Sequence, residues 1–133
     1  MKSKETLALI VDDEPDACWA LEHLVKKAGA GSERAASGRE AFALMKRLRF
    51  RLAFLDAKLP DIEGLELAKR LREIDPDISI VIVSGYFSRE DPAILGALAE
   101  GLICRFISKP FQNDEIIAAI RLVSSPASSQ GDV

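Results

Sequence analysis

Cysteine, histidine, tryptophan and tyrosine are almost missing from this chain: 133 residues hold two Cys and one each of the other three. Cys18 and Cys104 stand far apart and fit no Cys-x-x-Cys or Cys/His spacing, which argues against a zinc site or a disulfide framework and fits a cytoplasmic setting. Both read as packing residues, and the lone His23 reads as a solvated side chain with no nucleophile beside it. Long apolar runs are lacking too. The first six residues lead into only Leu7-Ala8-Leu9-Ile10-Val11, too short for a secretory signal or a membrane span, so neither export nor a membrane is expected. Nor is there an excess of positive charge: the net charge of −3 argues against the strongly basic face that nucleic acid requires, so no nucleic-acid partner is expected.

Hydrophobic residues, in contrast, make up 48% of the chain, enough for one domain with one core. They fall into short runs separated by helical patterns. Leu7 to Val11 is apolar throughout, as a strand covered on both faces should be, and it stops at Asp12-Asp13-Glu14. Pro15 suits a first helical turn, and Ala17, Ala20, Leu21, Leu24, Val25 and Ala28 recur at helical spacing until Gly29. Ser32 to Ala36 is a weaker, polar strand suited to a sheet edge; Ser37-Gly38 then caps a helix carrying Ala41, Phe42, Leu44, Met45 and Leu48.

Leu52 to Leu55 is a third strand, ending at Asp56 and followed by the Pro/Gly-marked loop Lys58-Leu59-Pro60-Asp61-Ile62-Glu63-Gly64. A helix with Leu65, Leu67, Ala68, Leu71 and Ile74 stops at Asp75-Pro76, since proline disfavours helical geometry before it. Ile78 to Val83 is a strand ending at Ser84-Gly85, and Asp91-Pro92 opens a helix that closes at Gly101. Leu102 to Ile107 reads as an edge strand, Ser108-Lys109-Pro110-Phe111 follows it, and a last helix runs from about Asn113 to Val123. Residues 124–133 carry no core pattern and are expected to be a disordered tail beyond a domain of residues 1–123.

Strands alternating with helices imply right-handed βαβ units and a five-stranded parallel sheet, doubly wound. Its two polar strands belong at the edges, giving the flavodoxin-like order 2-1-3-4-5. In such sheets ligands bind at the carboxyl ends of the strands. Asp12, Asp13, Asp56, Ser84 and Lys109 all fall at that rim. Two unit charges about 4 Å apart repel by roughly 4 kcal/mol even at an effective dielectric of 20, so three carboxylates call for a cation. Oxygen ligands without His or Cys select a hard ion such as Mg²⁺. A carboxylate nucleophile, a hydroxyl, an ammonium and a metal together suit phosphoryl transfer. Each residue alone has a plainer reading: Asp12-Asp13 as a helix N-terminal charge cluster, Ser84 as a turn residue, Lys109 as a surface lysine. The set carries the chemistry.

From about Thr6 to Val123 the chain resembles the receiver domain of bacterial two-component response regulators. The resemblance is carried by Val-Asp-Asp-Glu-Pro at 11–15, Asp-Ala-Lys-Leu-Pro-Asp-Ile-Glu-Gly at 56–64, Ser-Gly at 84–85 and Phe-Ile-Ser-Lys-Pro-Phe at 106–111. It implies that Asp56 accepts a phosphoryl group, that Asp12, Asp13, Asp56 and the backbone carbonyl of Lys58 position Mg²⁺, and that Ser84 and Lys109 engage the phosphoryl. It also implies that Ser84 and Phe106 form a conformational switch, that Lys109-Pro110 is cis, and that Lys58 and Tyr86 flank the path of the attacking water. The implied phosphodonor is a sensor histidine kinase or a histidine phosphotransfer protein, and the expected output is a protein contact or a phosphorelay rather than catalysis on a separate substrate. No output domain is recognisable in the sequence.

Two other functions remain open to the sequence. A haloacid-dehalogenase-like phosphohydrolase also uses Asp, Mg²⁺, Ser/Thr and Lys, but its Asp-x-Asp motif and cap insertion are not seen here. A phosphorylation-independent interaction module would be expected to have lost some of the five rim residues. On the surface, Trp19 points away from its helix's apolar stripe and is expected to be an exposed partner contact. The run Ile116 to Val123, with Ile117 and Leu122, is expected to join the preceding apolar helix in an output or homodimer face.

Overall fold

The computed structural model describes residues 7–124. Five strands and five helices alternate: β1 (Leu7–Val11), α1 (Pro15–Lys27), β2 (Gly31–Ala35), α2 (Gly38–Arg47), β3 (Leu52–Leu55), α3 (Gly64–Ile74), β4 (Ser79–Ser84), α4 (Pro92–Ala99), β5 (Arg105–Ser108) and α5 (Asn113–Ser124). The strands form one sheet in the order β2-β1-β3-β4-β5, as the polar edge strands predict. All four pairings are parallel.

Alternation along the strands builds two cores. Leu9, Val11, Ala53, Leu55, Ile80 and Ile82 face α2, α3 and α4. Ala8, Ile10, Leu52, Phe54, Val81 and Val83 face the opposite side, where Leu21, Leu24, Val25, Ile116 and Ile120 of α1 and α5 cover them. Strands buried on both faces have no polar positions, which is why their sequences read as unbroken apolar runs. Each fully buried Leu, Ile or Phe contributes about 1.5–3 kcal/mol of transfer free energy.

Several boundaries differ from the sequence reading. β2 lies one residue earlier, because the Ala36 amide donates to Glu40 Oε1 rather than to a neighbouring strand. The last strand starts at Arg105, not Leu102: the amides of Leu102 and Ile103 donate back to Ala97 O, behind Gly101 at φ +77°. Ile74, expected on the core face of α3, is 53% exposed at the helix end. The expected tail lies outside the described residues except for Ser124, which closes α5. No helix among the described residues is long and apolar enough to cross a membrane.

Candidate functional site

Register alone brings the first two acids together. Val11 pairs with Leu55, so Asp12 and Asp56 leave adjacent strands side by side, and the Asp56 amide donates to Val11 O at 2.9 Å. On the other side, Ser84 pairs with Ser108, and the Lys109 amide donates to Ser84 O at 3.0 Å. The Lys109-Pro110 bond is cis, as expected. All five rim residues therefore occupy one end of the sheet.

Asp12, Asp13 and Asp56 each offer a carboxylate oxygen within 4.8 Å of the other two, with Asp12 buried, Asp56 half-buried and Asp13 exposed. An all-oxygen cluster open on one side fits a hard divalent cation that keeps some of its waters. The Lys109 ammonium offsets part of the charge: its Nζ donates to Asp12 Oδ2 at 2.8 Å and to Glu14 Oε1 at 3.2 Å, and lies 3.6 Å from Asp56 Oδ1. Burial works against the Lys109 ammonium, but the hydrogen bond and charge of Asp12 outweigh it and raise its pKa. The pKa of the Asp56 carboxyl is raised as well. Burial, followed by the charge of Asp12, pushes it up to about 6 against the pull of Lys109. A carboxylate held at such cost binds a cation or a phosphoryl group readily, because either one removes the repulsion.

Ser84 is fully buried, and its Oγ accepts from the Tyr86 amide at 2.8 Å. Phe106 is buried and packs into the core on the α3 and α4 side, so its ring is turned inward here. The loop after β3 is shaped by Gly64, where a Cβ would stand 2.8 Å from Ala57 Cα and would strike the backbone oxygen of Asp56. Only glycine lets this loop close back beneath the phosphoacceptor candidate. Cys18 is buried as a packing residue, and its thiol donates to Asp12 O at 3.2 Å; burial and the Asp12 charge raise its pKa, keeping it a neutral donor, whereas Cys104, also expected to pack, is exposed just before β5.

Three contacts were missed in the sequence. Glu14, the third acid of its run, shares Lys109 with Asp12, and its place in that acidic run was a usable signal. Asp61 accepts from the amides of Gly38 and Arg39 at 2.9 and 3.0 Å, which anchors the loop after β3 to the N-terminus of α2; those amide bonds lower its pKa. Glu63 pairs with the Lys58 ammonium at 3.5 Å, while the same ammonium lies over the Tyr86 ring. Separations of more than twenty residues left no local trace of the Asp61 contact.

The surface expectations divide. Trp19 is 63% exposed, as its helical angle predicts, and stacks on His23 with centroids 5.4 Å apart; His23 is exposed yet has this ring neighbour. The α5 patch is narrower than its sequence suggests, because Ile116, Ala119 and Ile120 are buried and Ile117 packs partly against the core, leaving Leu122 exposed. Leu95 and Leu98 on α4 are exposed as well.

A doubly wound parallel sheet in this strand order, with an acidic cluster, a buried hydroxyl and a lysine at its carboxyl rim, has the fold of signalling receiver domains. The chain matches the response regulator receiver domain over residues 8–121 and belongs to that family. It is 33% identical over 116 residues to sporulation initiation phosphotransferase F of Bacillus subtilis, covering 85% of this chain and 89% of that protein. Chemotaxis protein CheY of Thermotoga maritima is 32% identical over 119 residues, with 87% and 95% covered. The hydrogenase transcriptional regulatory protein HoxA of Cupriavidus necator is 31% identical along this whole chain, which spans only 27% of that protein's length. A CheY-like receiver domain from Methanospirillum hungatei superposes with a TM-score of 0.82 at 28% identity, covering 96% of this chain and 99% of that one. The chain is a signalling receiver domain.

Proposed function

We propose that Asp56 accepts a phosphoryl group from a phosphohistidine on a sensor histidine kinase or histidine phosphotransfer protein, and that the phosphorylated chain signals through protein contacts or passes the group on. The observation that carries this reading is the position of the Lys109 ammonium, 2.8 Å from Asp12 Oδ2 and 3.6 Å from Asp56 Oδ1, beside a three-carboxylate cluster. In the transfer, an Asp56 carboxylate oxygen forms a bond to phosphorus as the phosphorus–nitrogen bond breaks. The electron pair stays on the departing imidazole nitrogen, which is left as a neutral or protonated ring according to pH. Lys109 neutralises charge on the phosphoryl oxygens, and the Ser84 hydroxyl donates to one of them.

Asp12, Asp13, Asp56 and the Lys58 carbonyl would hold Mg²⁺, which when bound supplies charge neutralisation for the phosphoryl oxygens. Recruitment of Ser84 to the phosphoryl group would draw on the strand end beside Phe106, which is the switch role proposed for this pair. Slow self-dephosphorylation by water at the same site belongs to this reading. Trp19 would meet the histidine-bearing donor, and Leu122, Ile117 and the α4 leucines would form the output face. The receiver unit is taken as residues 1–123, acting in the cytoplasm, where the thiols of Cys18 and Cys104 stay reduced.

Incubation with acetyl phosphate and Mg²⁺ tests the reading. One acid-labile phosphoryl mass adduct is expected on the wild type, none on Asp56→Asn and none in EDTA. An adduct that forms equally well on Asp56→Asn or in EDTA removes the assignment.

A further inference from the structure

At the end of the sheet opposite Asp56, the loop before β3 and the loop before β4 lie side by side, because β3 and β4 are neighbours and the Ser79 amide donates to Arg51 O at 3.0 Å. Between them run two adjoining cavities of about 280 and about 480 Å³ that share Arg49, Phe50 and Asp75. One lip is basic, with Arg49 and Arg51; the other is acidic, with Asp75 and Asp77. Met45, Leu48 and the exposed Ile74 make the smaller cavity's end of the cleft apolar. The ion pair across the lips, Arg49 Nε to Asp75 Oδ2, is 4.0 Å long; Asp75 is 18% exposed and also accepts from the Asp77 amide at 3.0 Å, while Arg49 is 79% exposed and Asp77 exposed.

We propose that this cleft is a self-association surface whose occupant is a second copy of the chain. A two-fold interface must be self-complementary, each patch meeting its own copy turned through half a rotation. Adjacent lips of opposite charge beside an apolar end meet that requirement: rotation about an axis through Ile74 and Leu48 makes that end the centre of the pair and lays the arginine lip of one copy on the aspartate lip of the other, at both ends of the contact. Ile74 then loses the water exposure that its helix end otherwise leaves it. The arrangement places the two Asp56 rims at the far ends of the pair, so association and phosphotransfer do not compete for surface; its basic lip adjoins the end of α5, where Arg51 donates to Val123 O at 3.3 Å. The patch is small, so the pair is a weak one whose charges set its orientation more than its strength. Salt weakens it, since exposed charges are screened beyond about 10 Å at 0.1 M.

Sedimentation velocity of the full chain over a concentration series tests this without reference to phosphorylation. The wild type is expected to show a reversible monomer–dimer equilibrium that shifts toward monomer as salt is added. Arg49→Glu alone and Asp77→Lys alone each place like charges at both ends of the contact, and each is expected to weaken dimerisation by on the order of tenfold or more. An equimolar mixture of the two variants restores opposite charges at both ends and is expected to recover the dimer, which a folding defect in either variant would not do. Glu90→Lys, an exposed residue of the loop before α4, is expected to leave the equilibrium unchanged. A wild type that stays monomeric, a mixture that fails to recover, or loss of the dimer in Glu90→Lys overturns the proposal.

Discussion

The Lys58 ammonium stands 4.4 Å from the centroid of the Tyr86 ring and 3.5 Å from a Glu63 carboxylate oxygen. One side chain thus joins the loop after β3 to the loop after β4 at the edge of the Asp56 site. At an exposed position a cation–π contact of this kind is worth about 0.5–1 kcal/mol. That is enough to bias where the ring rests, and too little to lock it.

Hydrolysis of a phosphoryl group on Asp56 needs a water aligned opposite the leaving oxygen, and a misplacement of about 1 Å can cost on the order of 10²-fold in rate. In the role proposed for them, Lys58 and Tyr86 would together crowd that approach, and the ammonium would turn from Glu63 to a phosphoryl oxygen as a charge-assisted donor. Slow loss of phosphate is expected, with Lys58→Ala and Tyr86→Ala each speeding it several-fold. The measurement is decay of the phosphorylated protein in Mg²⁺ buffer. Unchanged decay in both variants and in the double variant would show that neither side chain shields the site.

Asp56 makes stability depend on pH in an unusual direction. Its carboxyl titrates at about 6 in the folded chain against an ordinary 3.8, so between these values the folded state binds the proton more tightly than the unfolded state does. Unfolding free energy therefore falls as pH rises through this window and stays lower above it, by on the order of 3 kcal/mol for this group. Asp56→Asn is expected to be more stable than the wild type at neutral pH without divalent ions, and to lose that advantage near about pH 4. Added Mg²⁺ should stabilise the wild type more than the variant, since binding to the folded state alone adds to stability. Urea denaturation across pH, with and without Mg²⁺, reads both effects; a variant less stable than the wild type at neutral pH contradicts the charge account.

Lys109→Ala leaves buried Asp12 and half-buried Asp56 facing each other without their cation. Removing one partner of a buried pair is costly, and a loss of about 3 kcal/mol is expected at neutral pH. Because the site becomes more negative, Mg²⁺ should recover a larger share of stability in the variant than in the wild type. Thermal unfolding with and without Mg²⁺ decides this, and a variant that melts with the wild type in metal-free buffer would show that the ion pair contributes nothing net.

Trp19 is the only tryptophan, which makes its environment directly readable. Emission typical of a water-exposed indole and easy quenching by iodide are expected. Trp19→Ala should change stability by no more than about 0.5 kcal/mol, as exposed substitutions do, yet slow phosphotransfer from a histidine-bearing donor while leaving acetyl phosphate labelling intact. Equal loss with both donors would place the effect in the fold rather than at a docking surface.

Strand order, helix order and the five rim residues were legible in the sequence because they rest on local facts. A doubly covered strand is apolar throughout, a parallel sheet needs crossovers, and the residue after each strand must emerge at one rim. Tertiary structure alone decided the rest. Glu14 could be seen as an acid, but not that it would share Lys109; Lys58 could be placed beside the site, but not over Tyr86 or against Glu63. Asp61 reached α2 across a separation no period records, and three of the α5 residues that read as an exposed arc were covered by β-strands and α1. Ile74 continued an apolar helical stripe yet lies exposed, since the helix ends where the sheet beneath it does. Hydrophobic period fixes which face of an element turns inward. Where each side chain ends depends on the lengths of the elements it meets and on the charges other loops bring within a few ångströms, and neither is written in the residue's own neighbourhood.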